Sequence, residues 1–183
     1  MGDTKDLKTY YQKAIDDGSA VPYVYIRMME TYKSEDNPAM ARKILEQAKS
    51  KIPGDVNVLM AEIDYLYWTG DSVKARNILR NVNSANFNSA DEYVNLSNFY
   101  IKEKEYEQAV TLLEKANRLS SNNFVVLYNL GVCHYSLSEK LFNQYNQLAV
   151  SQSNNSTAQE YKRQSDAHLT ESARYFEEAR KLE

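Results

Sequence analysis

Apolar residues recur along this chain with helical spacing, in short stretches separated by polar breaks. Each break carries turn chemistry. Asn37-Pro38 reads as an N-cap followed by a proline at the first helical position. Gly70-Asp71 pairs a residue free to take positive φ with a capping side chain. Pro53-Gly54-Asp55 stops one helix and starts another, and Ser89 with Glu92 forms a capping box. Helix pairs are therefore predicted throughout, with no strand pattern between them.

The pairs keep time. Ala41, Ala75 and Ala109 are equally spaced, and Ala14, Ala48 and Ala116 fit the same register. Four residues after each of the first three comes Leu45, Leu79 or Leu113; three further on sits Ala48, Val82 or Ala116. A small–large–small stripe thus runs down one face of every second helix, where two backbones approach closely. Repeats are predicted over 22–55, 56–89 and 90–123, with a longer one over 124–183 and a lone second helix over 4–21.

A 34-residue helix–turn–helix period resembles the tetratricopeptide repeat. The third repeat matches best, with Leu96, Ser97, Tyr100, Tyr106, Ala109, Leu113 and Ala116 in register, and the fourth opens with Tyr128-Asn129-Leu130-Gly131. The second departs, with Glu62-Ile63 at the expected leucine–glycine pair and Val82 for an alanine. The resemblance implies an all-α fold: a right-handed α-solenoid of antiparallel helix pairs forming a single domain, with the last pair extended.

In the last repeat the stripe falls at Ser172, Phe176 and Ala179, whereas the period places its first member at Asn143. The repeat is thus longer than the period by about 29 residues. The inserted stretch is itself helical in spacing: Leu137, Leu141, Tyr145 and Leu148 on one side, Tyr161, Ser165, Leu169 and Ser172 on the other. Both helices are predicted to lengthen by about 14 residues, roughly 20 Å. A polar turn over 151–157 joins them, with Ser156 and Gln159 as a capping box. The insertion resembles the long-helix repeats of many bacterial tetratricopeptide proteins. Gln144, Asn146 and Ser165 suggest a polar seam, hence a wet hairpin with at most weak self-association.

Composition narrows the function. The net charge of −3 and the absence of long Lys/Arg blocks argue against nucleic acid. No apolar run is long enough to insert in a membrane. One cysteine, Cys133, rules out an intrachain disulfide and reads as a packing residue. The chain reads as a piece of a longer protein, since no first helix precedes 4–21 and no capping helix follows Glu183. Cytoplasm and periplasm both stay open.

Nothing points to catalysis, a metal or a cofactor: no phosphate loop, no nucleophile elbow, no paired-histidine helix motif. A turn near Asn155 would set His134 opposite Phe176 and His168 opposite Phe142. The two histidines would then lie about 12 Å apart, beyond reach of one metal ion.

The resemblance instead implies a non-catalytic scaffold for a protein or peptide segment, held in a concave groove lined by first helices. Its groove positions fall on Tyr23, Ile26, Glu30, Asn57, Met60, Asp64, Tyr67, Trp68, Val94, Asn98 and Tyr128, with Asn95 and Asn129 in equivalent places one repeat apart. The surface is aromatic and apolar with a few acids, suiting apolar side chains and a basic residue facing Glu30 or Asp64. The family's carboxylate clamp is absent: Ile26, Met60, Val94 and Tyr128 stand where cations would be. The alternatives are a structural segment of a self-associating superhelix, or an adaptor region of a larger protein whose activity lies elsewhere.

Overall fold

The structure is a computed structural model that describes residues 4–84, 87–151 and 156–182. Its described residues form α1 (Thr4–Asp16), α2 (Pro22–Ser34), α3 (Pro38–Lys51), α4 (Val56–Trp68), α5 (Ser72–Arg80), α6 (Ala90–Lys102), α7 (Tyr106–Leu119), α8 (Phe124–Ser151) and α9 (Ser156–Arg180). No strand occurs among them. They fall into two compact units, 1–85 with α1–α5 and 86–183 with α6–α9.

The caps form as the sequence predicts. Asn37 accepts from the Met40 N–H, Asp55 from Asn57 and Val58, and Asp71 from Lys74. The Ser89–Glu92 capping box is complete, each side chain accepting from the other's end of the turn. The period is also written in the backbone. Asp36, Gly70 and Lys104, evenly spaced at one per repeat, all adopt left-handed φ, at 50°, 86° and 61°. The residue after each donates to the carbonyl five residues back: Asn37 to Tyr32, Asp71 to Leu66, and Glu105 to Tyr100, each at 2.9 Å. This is the bond that closes a helix through a left-handed residue. The turn within a repeat is thus one geometry built three times, with glycine in only one of them.

In the first unit, α2 and α3 close over a core of Tyr25, Met28, Met29, Tyr32, Ala41, Ile44, Leu45 and Ala48, to which α1 adds Ile15 and α4 adds Val58 and Ala61. In the second, α7 packs against α6 and α8. Leu96, Ser97, Ala109, Leu113, Ala116, Val126, Leu130 and Cys133 are all buried there. Ala41, Ala75 and Ala109 have no exposed surface, as expected where helices approach most closely.

One stripe position differs from expectation. α5 ends at Arg80, so Val82 lies beyond the helix rather than on its face. The Asn81 side chain donates to the Asn77 carbonyl, and asparagine competes in this way with the helical ladder.

The last helix pair is long, 28 and 25 residues against 13 and 14 for α6 and α7. Most of the polar turn expected over 151–157 lies outside the described residues. α9 already includes Ser156, one residue too early for that serine to act as its cap.

Candidate protein-interaction surface

In the first unit the candidate residues lie on α2 and α4. Tyr23 is exposed, meets Tyr11 edge-on at 6.3 Å, and has the Arg27 guanidinium over its ring. Ile26 is partly buried against the core, and Met60 is buried. Trp68 also packs on the core and meets Tyr65 edge-on at 6.0 Å. Asn57, Asp64 and Tyr67 are half-buried.

The two acids expected to await a basic partner residue already have cations of their own. Glu30 pairs with Arg27 at 2.5 Å, one helical turn back. Asp64 pairs with Lys33 at 2.6 Å, across from α4 to α2. The first pair was legible as an i,i+3 spacing; the second needs the stacking of two repeats. The side chains of both pairs are between about a third and a half exposed, so each pair contributes at most about 1 kcal/mol, but together they leave this surface close to neutral. A cleft of about 580 Å³ lies beside it, lined by Leu7, Lys8, Tyr11, Arg27, Thr31, Ser34 and Glu35. Its cations are likewise paired, Lys8 with Glu35 at 2.6 Å.

In the second unit Val94 is buried, while Asn95 and Asn98 are exposed and Asn129 is half-buried. The Asn129 amide nitrogen donates to the Asn98 amide oxygen at 3.2 Å, bridging α8 and α6. The Asn98 amino group and the Asn129 carbonyl oxygen remain as a donor–acceptor pair. Tyr128 packs among aromatic rings. It stacks on Phe124 at 5.8 Å and leans on Phe176 of α9 at 5.6 Å, with about half its surface exposed.

The hairpin seam corrects the expected register. A turn near Asn155 would hold His134 and His168 well apart, yet their Nδ1 atoms are 2.9 Å from one another, one ring donating to the other. Below them Ser138 and Ser165 share a hydrogen bond at 2.9 Å, and Ser165 also donates to the Ser138 carbonyl. Above them Ser172 donates to the Gly131 carbonyl at 2.9 Å. Ala158, Ser165, Ser172 and Ala179, spaced by sevens, are all buried. Ser165 therefore sits in the seam as expected, whereas Asn146 faces solvent.

No group of three or more His, Cys, Asp or Glu that could hold an ion exists among the described residues. Burial, aided by the neighbouring His168 and by Arg174, pushes His134 below its ordinary 6.5, against the opposing pull of Glu171. The His134 ring stacks on Tyr175, and Glu107 of α7, bonded to Lys140, faces His168. Folded His134 thus takes up its proton at lower pH than the unfolded chain does. Below about pH 6.5 the unfolded state binds more protons, so stability should fall on acidification. Melting temperatures at pH 8 and pH 5.5 should show a drop that shrinks in His134→Gln; an equal drop in both would assign it to other groups. Cys133 is buried and its thiol is pushed up to about 12, which makes it unreactive.

No helix among the described residues is long and apolar enough to cross a membrane. No family model matches the chain, and no characterised protein matches it by sequence. Solved structures do. YrrB, described as a TPR protein with an unusual peptide-binding site, aligns over 94% of this chain and 92% of its own, at 13% identity and TM-score 0.51. A monomeric mutant of IFIT1, solved with Gppp-AAAA, aligns over 96% of this chain at 16% identity and TM-score 0.63. Cut9, from the APC/C hetero-tetramer with Hcn1, aligns over 86% at 17% identity and TM-score 0.51. This chain spans 38% of the IFIT1 chain and 32% of the Cut9 chain. Its fold is that of tetratricopeptide-repeat proteins.

Proposed function

We propose that this tetratricopeptide-repeat fold serves as a non-catalytic scaffold, holding a segment of another protein against the first helices of its repeats. The observation that carries the reading is the Asn98–Asn129 bridge. It fixes two amides side by side on adjacent first helices, with a donor and an acceptor left for a peptide backbone. Tyr67 and Trp68 of α4 supply partly buried aromatic surface of the kind that anchors binding partners. Met60 in the first unit and Val94 in the second are buried, so each packs within its own unit rather than contacting a bound segment.

The paired acids refine the ligand. With Glu30 and Asp64 already matched to Arg27 and Lys33, the first-unit surface favours a segment read through its backbone and apolar side chains, not through a basic residue. The description of YrrB, a protein of similar fold, as having an unusual peptide-binding site supports this reading.

Peptides selected from a random display library against the whole chain test this. For a selected peptide that binds the second unit, Asn98→Ala should weaken binding at least tenfold by fluorescence anisotropy; for one that binds the first unit, Tyr67→Ala with Trp68→Ala should do the same. A peptide indifferent to both variants would put the binding site elsewhere.

A further inference from the structure

Several large apolar side chains of the last hairpin are left in solvent. Phe124, Tyr128, Tyr135, Phe142 and Leu169 expose 37%, 48%, 53%, 47% and 49% of their surface. The rings are not scattered. Tyr128, Tyr135 and Phe142 are seven residues apart, so they form a single file along α8. That file runs along the edge of the α9 contact, where Tyr128 touches Phe176, and leaves about half of each ring in solvent. Leu130, Cys133 and Leu137 are buried on one side, and Gly131, His134 and Ser138 meet α9 on the other. It is also about 100° round the helix from Asn129, and so is separate from the amide pair.

We infer that this face is a homodimer interface, in which α8 packs antiparallel on α8 of a second copy about a two-fold axis at Tyr135. The argument is self-complementarity. An evenly spaced file read in reverse is the same file, so the pairs become Tyr128 with Phe142, Tyr135 with Tyr135, and Phe142 with Tyr128. This is what an isologous contact requires. The area also suffices. Five side chains about half exposed offer roughly 500 Å² of apolar surface per copy. With its polar rim this approaches the roughly 800 Å² per partner of a standard interface. Glu139, one turn beyond Tyr135, is a charge that borders the file. In this pairing it accepts a hydrogen bond from the hydroxyl of the partner's Tyr128, so the carboxylate is not left bare among rings. The proposal does not rest on the peptide-binding reading, since the amide pair stays open in the dimer.

The test is mass and cross-linking on the whole chain. Sedimentation at tens of micromolar should give twice the 21.1 kDa of one chain. Tyr135→Glu should bring two carboxylates together at the axis and raise the dissociation constant at least a hundredfold, with unchanged helix content by circular dichroism. In a Cys133→Ala background, Tyr135→Cys should oxidise to a covalent dimer. Tyr128→Cys should not, because its two copies lie about 21 Å apart across the axis. A wild-type mass of 21.1 kDa at 200 µM would overturn the inference and leave the face to a foreign helix. A dimer that survives Tyr135→Glu, or cross-linking of Tyr128→Cys as fast as Tyr135→Cys, would overturn it equally.

Discussion

Leu113→Ala should cost about 3–4 kcal/mol of stability. The side chain has no exposed surface, and the residues one turn before and after on its stripe, Ala109 and Ala116, are likewise fully buried. Alanines carry no spare side chain that could swing into the space left behind, and their backbones are fixed by α6 and α8 on either side. The site therefore collapses little, which places the substitution toward the upper part of the range for Leu→Ala in a core. Urea melts followed by circular dichroism measure it, with Glu114→Ala on the exposed face as the control expected to stay within about 0.5 kcal/mol. A loss below about 1 kcal/mol for Leu113→Ala would show that the small–large–small stripe is not close-packed.

Gly131→Val should cost about 2–3 kcal/mol, for the opposite reason. A Cβ at this position would stand 2.7 to 3.0 Å from three carbons of the Phe176 ring. The ring must leave, or α9 must move, and movement of α9 stretches the bond from Ser172 to the Gly131 carbonyl. Overpacking of this kind costs as much as a small cavity. The mechanism is separable by a double-mutant cycle. Gly131→Ala should be clearly less harmful, or even stabilising through its better helix propensity, once Phe176→Ala has removed the ring. Additive effects of the two substitutions would disprove the clash.

The fold was legible because its signals are local. A regular spacing of alanines and four capping sequences need no knowledge of what lies far along the chain, and Asn37, Asp55, Asp71 and Ser89 cap where they were read to cap. The histidine separation was not legible. Ser138 meets Ser165 and Gly131 meets Ser172, so partners across the hairpin sum to 303. A turn near Asn155 gives 310. The difference is seven residues, the interval at which the small residues of α9 recur. A slip of one such interval sets small residues opposite the same kinds of neighbour, so hydrophobic patterning cannot choose between the two registers. Contacts between side chains of different repeats were hidden for a related reason. That Lys33 reaches Asp64, and Asn129 reaches Asn98, depends on how one helix pair lies on the next. The sequence shows each partner but not the meeting. The contact of Tyr128 with Phe176 was hidden in the same way, since it depends on Gly131 leaving room for that ring.

The seam of the last hairpin also limits how this protein can vary. Ala158, Ser165, Ser172 and Ala179 advance in steps of seven, and the helix opposite answers with Gly131 and Ser138 in the same step. Sequence can therefore be added or removed only in matched blocks of seven, one on each arm. A deletion of four on one arm turns every later side chain out of the seam, whereas a paired deletion of seven shortens the hairpin by about 10 Å and leaves each surviving contact intact. Length in this hairpin is a counted quantity, and homologues with longer or shorter versions should differ from it by multiples of fourteen residues.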